Sequence, residues 1–502
     1  MRRWAAVIVL SASLLVITMD MTILNIALPN MAADLHPTSD QQLWIIDIYS
    51  LILAGLLASS AAVGDRWGRR RILLSGYVIF AIGSTAVLLA DSAPAVIVIR
   101  ALLGVGGAMI MPTTLSLIRV IFTDPKERAT ALSIWAAVSG LGAVIGPLVG
   151  GVLLQYFTWK AAFLINVPLM IGAIVFGLIV LPESKVSAPG RWDGVAAGLS
   201  LVGMVSLVWA IKQFGKHATL QLPAAWLGTA IAALTLTWFV FRTLESQSPL
   251  IELRLFRSRP FTAGIVAALG STFALVAALL LVVQWLQLVD GASPIQAGIR
   301  LIPIAIAGSL ASLIAPPLSR FIGVRAVISG GLVASGFGMS LLAFAGNDLR
   351  LIHVLVGLCF IGVGIGSLAV ASAMIMAGTA EDHAGSAGAL EETSYELGAT
   401  LGVAVLGSVS ALVYRNHLHS SALFEQLQQL SPELAAQAGD SLGAGMAIAH
   451  DVDIPNLAAV VGESFTRSLH IAGASGAIMM VIVAVIVFLL TPRGFALTGT
   501  QS

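Results

Sequence analysis

The sequence contains little charge and almost no cysteine. Charged residues make up 10% of its 502 residues, whereas soluble domains usually carry about 25%. Hydrophobic residues make up 58%, more than a soluble core requires, so we expect an all-α polytopic membrane protein. The single cysteine, Cys359, excludes an internal disulfide. The formal net charge of +1 gives no overall basic surface, so we expect no nucleic-acid partner.

Several motifs of energy-driven and catalytic proteins are also absent. The sequence has no GxxxxGK[ST] phosphate-binding loop, no HExxH and no CxxC. The chain therefore has no ATP motor of its own. We expect it to be neither an enzyme nor a carrier of a bound metal or cofactor.

Long apolar runs fill most of the sequence. A spanning helix needs roughly 20 mostly apolar residues, and the sequence predicts fourteen such runs. They lie near residues 5–28, 43–63, 72–90, 95–118, 129–154, 161–181, 194–213, 224–244, 260–288, 295–315, 325–345, 351–376, 387–413 and 468–490.

The basic residues indicate the orientation of these spans. An even number of spans puts both termini on one side of the membrane. Most Lys and Arg residues fall on that side, including Arg2, Arg3, Arg69–Arg71 and Arg191. The positive-inside rule therefore predicts that both termini are cytoplasmic. One connection, the external loop 414–467, is unusually long.

Two segments recur along the chain. GDRWGRRR (Gly64–Arg71) follows the second predicted span, and a weaker copy, LSRFIGVRAV (318–327), follows the tenth, with an offset of 254 residues between Arg66 and Arg320. Glycines of the fifth and thirteenth spans match with a similar offset. Secondary transporters often contain such repeats. We predict two parallel six-helix bundles, 1–182 and 260–502, joined by a two-helix insert, 183–259.

Six motifs, in order along the chain, resemble one transporter family. They are MDMTILNIALP (19–29), VGDRWGRRR (63–71), IRALLGVGGAM (99–109), GAVIGPLVGGVL (142–153), WKAAFLINVP (159–168) and PLIELRLFRSRPF (249–261). Together they resemble the major facilitator superfamily (MFS), in its fourteen-span drug:proton antiporter branch, and in detail the methyl-viologen-resistance type of exporter. Ala61, Val63 and Leu103 depart from the usual residues of these motifs.

The resemblance gives the motif residues expected gating roles. In the family, the loop after the second span is a cytoplasmic gate latch, although topology alone also accounts for its arginines. Glycines four apart leave one helix face bare, which permits close helix packing or a pliable interface. The candidate gating residues are Asp65, Arg66, Gly68, Arg69, Arg70, Gly142, Gly146, Pro147, Gly150, Gly398 and Gly402.

Charged residues inside the predicted spans are candidates for function, because a charge in the bilayer is costly. Asp20 and Arg100 lie at similar depths, about 8–12 Å from the external ends of their spans. A contact between them is either a static ion pair or a site that exchanges protons or cations. Asp47 lies nearer the external surface, and simple solvation explains it equally well.

Three acids, Glu391, Glu392 and Glu396, open the thirteenth span. Water at the cytoplasmic mouth accounts for Glu391 and Glu392, whereas Glu396 is a turn deeper. Glu392 and Glu396 share one helix face, and two charged carboxylates one turn apart repel each other. Such a pair is suited to binding a proton or a cationic substrate.

Aromatic and methionine side chains are candidates for an adaptable pocket for flat cations, although most such residues in membranes serve packing. They are Tyr49, Met109, Met111, Trp135, Trp285, Met374 and Met376.

The external loop contains LFEQLQQL (423–430), which predicts one or two short amphipathic helices. These helices either gate exit, meet a periplasmic partner or are an insertion without a function.

The resemblance implies a proton-coupled antiporter that exports lipophilic cations such as quaternary ammonium, viologen, biguanide and dye compounds. It implies a monomer in the bacterial inner membrane, driven by the proton gradient without a cofactor, whose partners are substrate, protons and lipid. A proton-coupled transporter of a metabolite is the alternative.

Overall fold

The computed structural model describes residues 2–185, 192–217, 222–246, 249, 251–343, 349–377, 379, 384–452 and 454–495. Arg191, counted above among the cytoplasmic basic residues, lies outside these ranges. The described residues form helices and no strands.

The first part of the chain forms seven helices. They are α1 (Arg2–Leu35), α2 (Ser39–Trp67), α3 (Arg69–Ala86), α4 (Ala93–Ile121), α5 (Pro125–Tyr156), α6 (Ala161–Leu164) and α7 (Asn166–Val180). Within this group α1 packs on α5, α2 on α4, and α3 on both α4 and α7.

The remaining helices form the insert and the second part of the chain. They are α8 (Gly194–His217), α9 (Pro223–Glu245), α10 (Arg259–Gln284), α11 (Pro294–Arg300), α12 (Ile302–Ile322), α13 (Val324–Ala343), α14 (Leu351–Gly366), α15 (Leu368–Ala377), α16 (Ala384–Gly402), α17 (Ser408–His419), α18 (Ala422–Leu430), α19 (Pro432–Asp440), α20 (Leu442–Asp451) and α21 (Leu457–Leu490). Two π-helical segments, Trp285–Val289 and Val403–Gly407, continue α10 and α16.

The helices confirm the predicted spans. Thirteen helical stretches among the described residues are long and apolar enough to cross a membrane. The predicted fifth run, 129–154, lies on α5, a helix of 32 residues. At a rise of about 1.5 Å per residue such a helix exceeds the thickness of a bilayer core. The chain is thus a multi-pass helical membrane protein.

The insert contacts both parts of the chain. Helices α8 and α9 pack on each other, and α8 also contacts α2 and α17. The boundaries 1–182, 183–259 and 260–502 stay a prediction, and residues 186–191, 218–221, 247–248 and 250 of the insert lie outside the described residues.

The bare glycine faces receive neighbouring helices. A Cβ at Gly142 or Gly146 would collide with Thr18 or Thr22 of α1. A Cβ at Gly398 would collide with the Leu269 carbonyl and Thr272 of α10, and one at Gly402 with the Phe273 carbonyl, so the α5–α1 and α16–α10 contacts are equivalent. Thr18 and Thr272 are 254 residues apart, the offset of the sequence repeat.

The two parts of the chain meet closely at their external ends. A Cβ at Gly298 of α11 would lie 2.5 Å from the Pro147 carbonyl of α5, and one at Gly151 would lie 2.7 Å from the Pro294 carbonyl. Gln287, in the first π-helical segment, donates a hydrogen bond to the Ile26 carbonyl at 3.1 Å. These contacts hold the two parts of the chain together at this end.

The described residues of the external loop form three short helices, α18 to α20, one more than the upper limit of the prediction. Helix α20 contacts both α1 and α21, so the loop bridges the two parts of the chain. The Tyr414 hydroxyl donates to the Ala438 carbonyl at 2.9 Å.

Residues 439–443 read GDSLG, which has the GxSxG spacing of hydrolase nucleophiles. In the α/β-hydrolase fold this motif follows a strand. Here helices flank the segment, and Ser441 Oγ accepts the backbone N–H of Ala444 as an N-cap.

Substitution of Gly398 by alanine tests the tight α16–α10 contact. The obstacle is a backbone carbonyl, which cannot rotate away, so we expect Gly398→Ala to lower stability by about 1–3 kcal/mol. The matched control is Gly172→Ala in α7, where a Cβ meets nothing within 4 Å. That change should stabilise the helix by up to about 1 kcal/mol. The measurement is the apparent Tm of the two purified variants, which should be lower for Gly398→Ala than for Gly172→Ala. Equal values would contradict the assigned packing.

Candidate functional site

A buried ion pair links α1 and α4. Arg100 Nη1 lies 2.6 Å from Asp20 Oδ2, with the side chains only 2% and 3% exposed. The predicted contact between these residues is therefore present. The second carboxylate oxygen of Asp20 accepts a hydrogen bond of 2.8 Å from the side-chain amide of Asn166, on α7.

Arg100 makes further contacts with α2. Its Nε donates to the Ile45 carbonyl at 3.1 Å, and its guanidinium carbon lies 4.4 Å from the centre of the Tyr49 ring. Asp20 thus has partners on two helices besides its own, and Arg100 adds a third. Removing one partner of such a buried pair usually costs about 3–5 kcal/mol.

Glu396, on α16, faces this network from the second part of the chain. Its side chain is 3% exposed and lies within hydrogen-bonding reach of Ser50. Arg100 and Tyr49 are close enough to interact electrostatically with it. Among the described residues its Oε2 atom has no hydrogen-bond partner. The α2–α16 contact therefore brings Asp20, Arg100 and Glu396 into one network between the two parts of the chain.

The other two acids of α16 have different surroundings. Glu391 is buried and accepts hydrogen bonds from Ser372 and, at 2.6 Å, from the hydroxyl of Tyr395. Glu392 is half-buried. Solvation at a cytoplasmic mouth therefore does not describe Glu391, because two protein hydroxyls take the place of water.

Asp47 is not solvated but buried against the insert. Lys212 Nζ, on α8, lies 2.9 Å from Asp47 Oδ2, with the side chains 1% and 0% exposed. This is an ion-pair distance, although the angle falls short of a well-formed hydrogen bond. Lys212 also lies 4.0 Å from the centre of the Trp44 ring. The charge of Lys212, rather than water, compensates the charge of Asp47.

The candidate latch residues contact their own half of the chain. Asp65 accepts from Arg69 at 2.8 Å. Gly68 adopts φ 116°, which favours glycine, and a Cβ there would meet the Glu183 carboxylate at 2.6 Å. Glu183, just after α7, accepts from the backbone N–H of Arg70 at 3.1 Å. Arg66 is exposed. The loop is thereby held against the end of α7.

The candidate pocket residues do not form one surface. Met374 lies in the apolar core of the second part of the chain, and Met376 is exposed beside it. Trp285 donates to Thr466 of α21 at 3.2 Å, near the external end. The others lie in the first part of the chain: Tyr49 under Arg100, Met111 in the core, and Met109 and Trp135 half-buried. A substrate-binding role for these seven residues stays a prediction.

Sequence reasoning missed three residues: Asn166, Lys212 and Glu183. Asn166 is the only amide in the apolar run 161–181, which is a usable signal. Lys212 is a lysine near the end of an apolar run, a position where lysine usually reaches the membrane surface. Glu183 follows a span directly, and nothing in its position distinguishes it from a solvated residue.

The fold and site define a secondary transporter: paired helical bundles, glycine-faced helices between them, and buried charges at their interface. The family model described as the Major Facilitator Superfamily matches residues 10–287. The chain belongs to this superfamily.

Named relatives extend over nearly the whole chain. It is 38% identical to the multidrug efflux pump LfrA of Mycolicibacterium smegmatis over 90% of this chain and 88% of that protein. It is 32% identical to the methyl viologen resistance protein SmvA of Salmonella typhimurium, over 96% and 97%. It is 33% identical to the tetracenomycin C resistance and export protein of Streptomyces glaucescens, over 97% and 91%.

A solved structure shares the fold. A bacterial homologue of the human lysosomal transporter Spinster, in an inward-facing and unoccupied conformation, superposes with a TM-score of 0.67 over 97% of both chains, at 17% identity.

Replacement of Asn166 tests its role as the second partner of Asp20. Asn166→Leu leaves one carboxylate oxygen without a donor, so we expect a loss of about 1–3 kcal/mol of stability. Asn25→Leu is the control, because among the described residues the Asn25 amide donates only within its own helix, to Met21 O. Thermal unfolding of both purified variants should show the larger loss for Asn166→Leu, and the opposite order would contradict this assignment.

Proposed function

We propose that this chain exports small lipophilic cations across the bacterial inner membrane in exchange for protons. Candidate substrates are quaternary ammonium, viologen, biguanide and dye compounds. The drug-efflux names of the relatives support export. The observation that carries the proposal is the buried network in which Asp20 and Arg100 face Glu396 across the interface.

The chemistry of the network suits exchange. One oxygen of Glu396 has no hydrogen-bond partner in the described part of the chain, in a place where an isolated charge is costly. A proton or an organic cation neutralises that charge, but both cannot do so at once. Competition for the carboxylates of the network, Asp20 and Glu396, is the simplest way to couple the outward movement of a cation to the inward movement of a proton.

Asp20 has a second role in this proposal. Arg100 forms an ion pair with Asp20 in the structure, at 2.6 Å. Protonation of Asp20 releases Arg100, which then turns its charge toward Glu396 and displaces a bound cation. The two acids are therefore linked through one arginine.

Substrate charge sets the number of protons needed. Moving one charge against a membrane potential of 100 mV costs about 2.3 kcal/mol. Exchange of a monocation for one proton moves no net charge, whereas a dication needs two protons for the same balance. Asp20 and Glu396 supply two separate carboxylates.

Other features of the proposal rest on the resemblance. We expect a monomer that works without a cofactor and alternates between external and cytoplasmic openings. The three-helix external loop closes the exit or meets a periplasmic partner.

Transport in everted membrane vesicles tests the proposal. After a proton gradient is imposed, a lipophilic monocation or dication is added and the gradient is followed with a pH-sensitive dye. The parent should dissipate the gradient with both, and Asp20→Asn with neither. Glu396→Gln should respond to monocations only, since its site lacks one negative charge.

Glu463→Gln is the control, because Glu463 is an exposed acid on α21. It should behave like the parent. A parent that shows no cation-dependent proton flux would contradict drug export and leave proton-coupled transport of a metabolite as the better account.

A further inference from the structure

The buried Asp47–Lys212 pair joins α2 to the insert helix α8 near their external ends. Lys212 is five residues from the end of α8, about 8 Å along the helix. A lysine at that depth can normally extend its ammonium group to the membrane surface. Here it turns inward instead, and both side chains of the pair are excluded from water. Burial of two charges is costly, so the arrangement calls for an explanation.

A small cavity, with room for about one water molecule, reaches this pair. Lys212 forms part of its wall, which also includes the apolar residues Leu43 and Ala411. The other charged residues of the wall are Asp40 on α2, Arg415 on α17 and Asp440 at the end of α19. The wall thus comes from the external ends of helices and from the external loop. Lys212 is the point at which the buried pair meets the cavity.

Helix α2 connects the cavity with the central network. Asp40 and Asp47 are seven residues apart, so they lie on nearly the same stripe of α2, about 10 Å apart along the axis. Ser50 follows Asp47 by three residues and is about 60° around the helix. Ser50 in turn lies within hydrogen-bonding reach of Glu396. Polar groups therefore lead from the external cavity to the acid at the interface.

We propose that Asp47 takes up the proton that enters from the external side and that Lys212 is its positioning residue. This proposal rests on the proposed antiport. The proton moves from a hydronium ion in the cavity to a carboxylate oxygen of Asp47, which becomes neutral and loosens its hold on the Lys212 ammonium. Ser50 then accepts this proton and donates its own to Glu396. Asp47 returns to a carboxylate and pairs with Lys212 again.

The inference gives the insert helices a part in energy coupling. The charges of Lys212 and Asp40 act directly on Asp47. Arg415 and Asp440 line the cavity, and Glu396 lies at the other end of the route. Only Lys212 makes an ion pair with Asp47 in the described structure. The insert thus supplies the charge that resets the proton uptake site after each transfer.

The test uses the purified full chain in proteoliposomes. Lys212→Met removes the charge and keeps much of the side-chain volume, and Lys212→Arg keeps the charge. Arg242→Met is the matched control. Its ion pair with Asp193, 2.7 Å long, also belongs to the insert but lies at the cytoplasmic end. Cation-driven proton flux is measured against external pH, and exchange of labelled for unlabelled substrate is measured without a proton gradient.

We expect Lys212→Met to slow proton flux about a hundredfold, the low end for a positioned proton-transfer group. Its external pH profile should move to more alkaline values by about one unit, the usual influence of an opposite charge at this distance. Substrate exchange should stay unchanged. Lys212→Arg should restore the pH profile, and Arg242→Met should match the parent.

Equal losses of proton flux and substrate exchange in Lys212→Met would overturn the proposal and leave Lys212 a purely structural residue. An unchanged pH profile would also overturn it. Absence of cation-driven proton flux in the parent itself is a different result, which would refute the proposed antiport rather than the role of Lys212.

Discussion

The ion pair between Asp20 and Arg100 is the interaction on which the rest of the site depends. The two charges lie where the bilayer makes an unpaired charge costly. Besides pairing with each other, they bond to the Ile45 carbonyl of α2 and the Asn166 amide of α7, which a buried ion pair needs to offset its desolvation. The pair therefore fixes the relative positions of four helices. In the proposed mechanism it also acts as a switch, because protonation of Asp20 changes the partner of Arg100.

The glycine faces determine how closely rearrangement of the buried charges is coupled to movement of the helices that carry them. Helix α1 carries Asp20 and packs on α5 through Thr18 and Thr22, while α16 carries Glu396 and packs on α10. Each acid is thus one or two residues from a close contact without intervening side chains. A small shift of either helix moves its acid directly, so rearrangement of charge and movement of helices are expected to be one event.

Much of this arrangement is readable from the sequence, because hydropathy and charge set the spans and an acid in an apolar run is conspicuous. Asp20, Arg100 and Glu396 stand out for that reason. The repeat predicted that the glycines of the fifth and thirteenth spans are equivalent, but not which helices they contact. Hydropathy does not show which way a side chain turns around its helix. Lys212 reads as a residue directed to the membrane surface, and its pairing with Asp47 depends on how α8 leans on α2. Glu183 likewise has no distinguishing signal in the sequence. The positive φ of Gly68 and the bond from the Arg70 N–H to the Glu183 carboxylate belong to the folded loop.

The central claim is that a cation and a proton compete for the network around Arg100. Proton release on substrate binding tests it most directly, with the purified chain in weakly buffered detergent solution and a pH-sensitive dye. The account predicts that addition of a lipophilic dication releases protons from the parent and that Glu396→Gln, which still binds monocations, releases fewer. Saturable binding of the dication with no release of protons at any pH would contradict it.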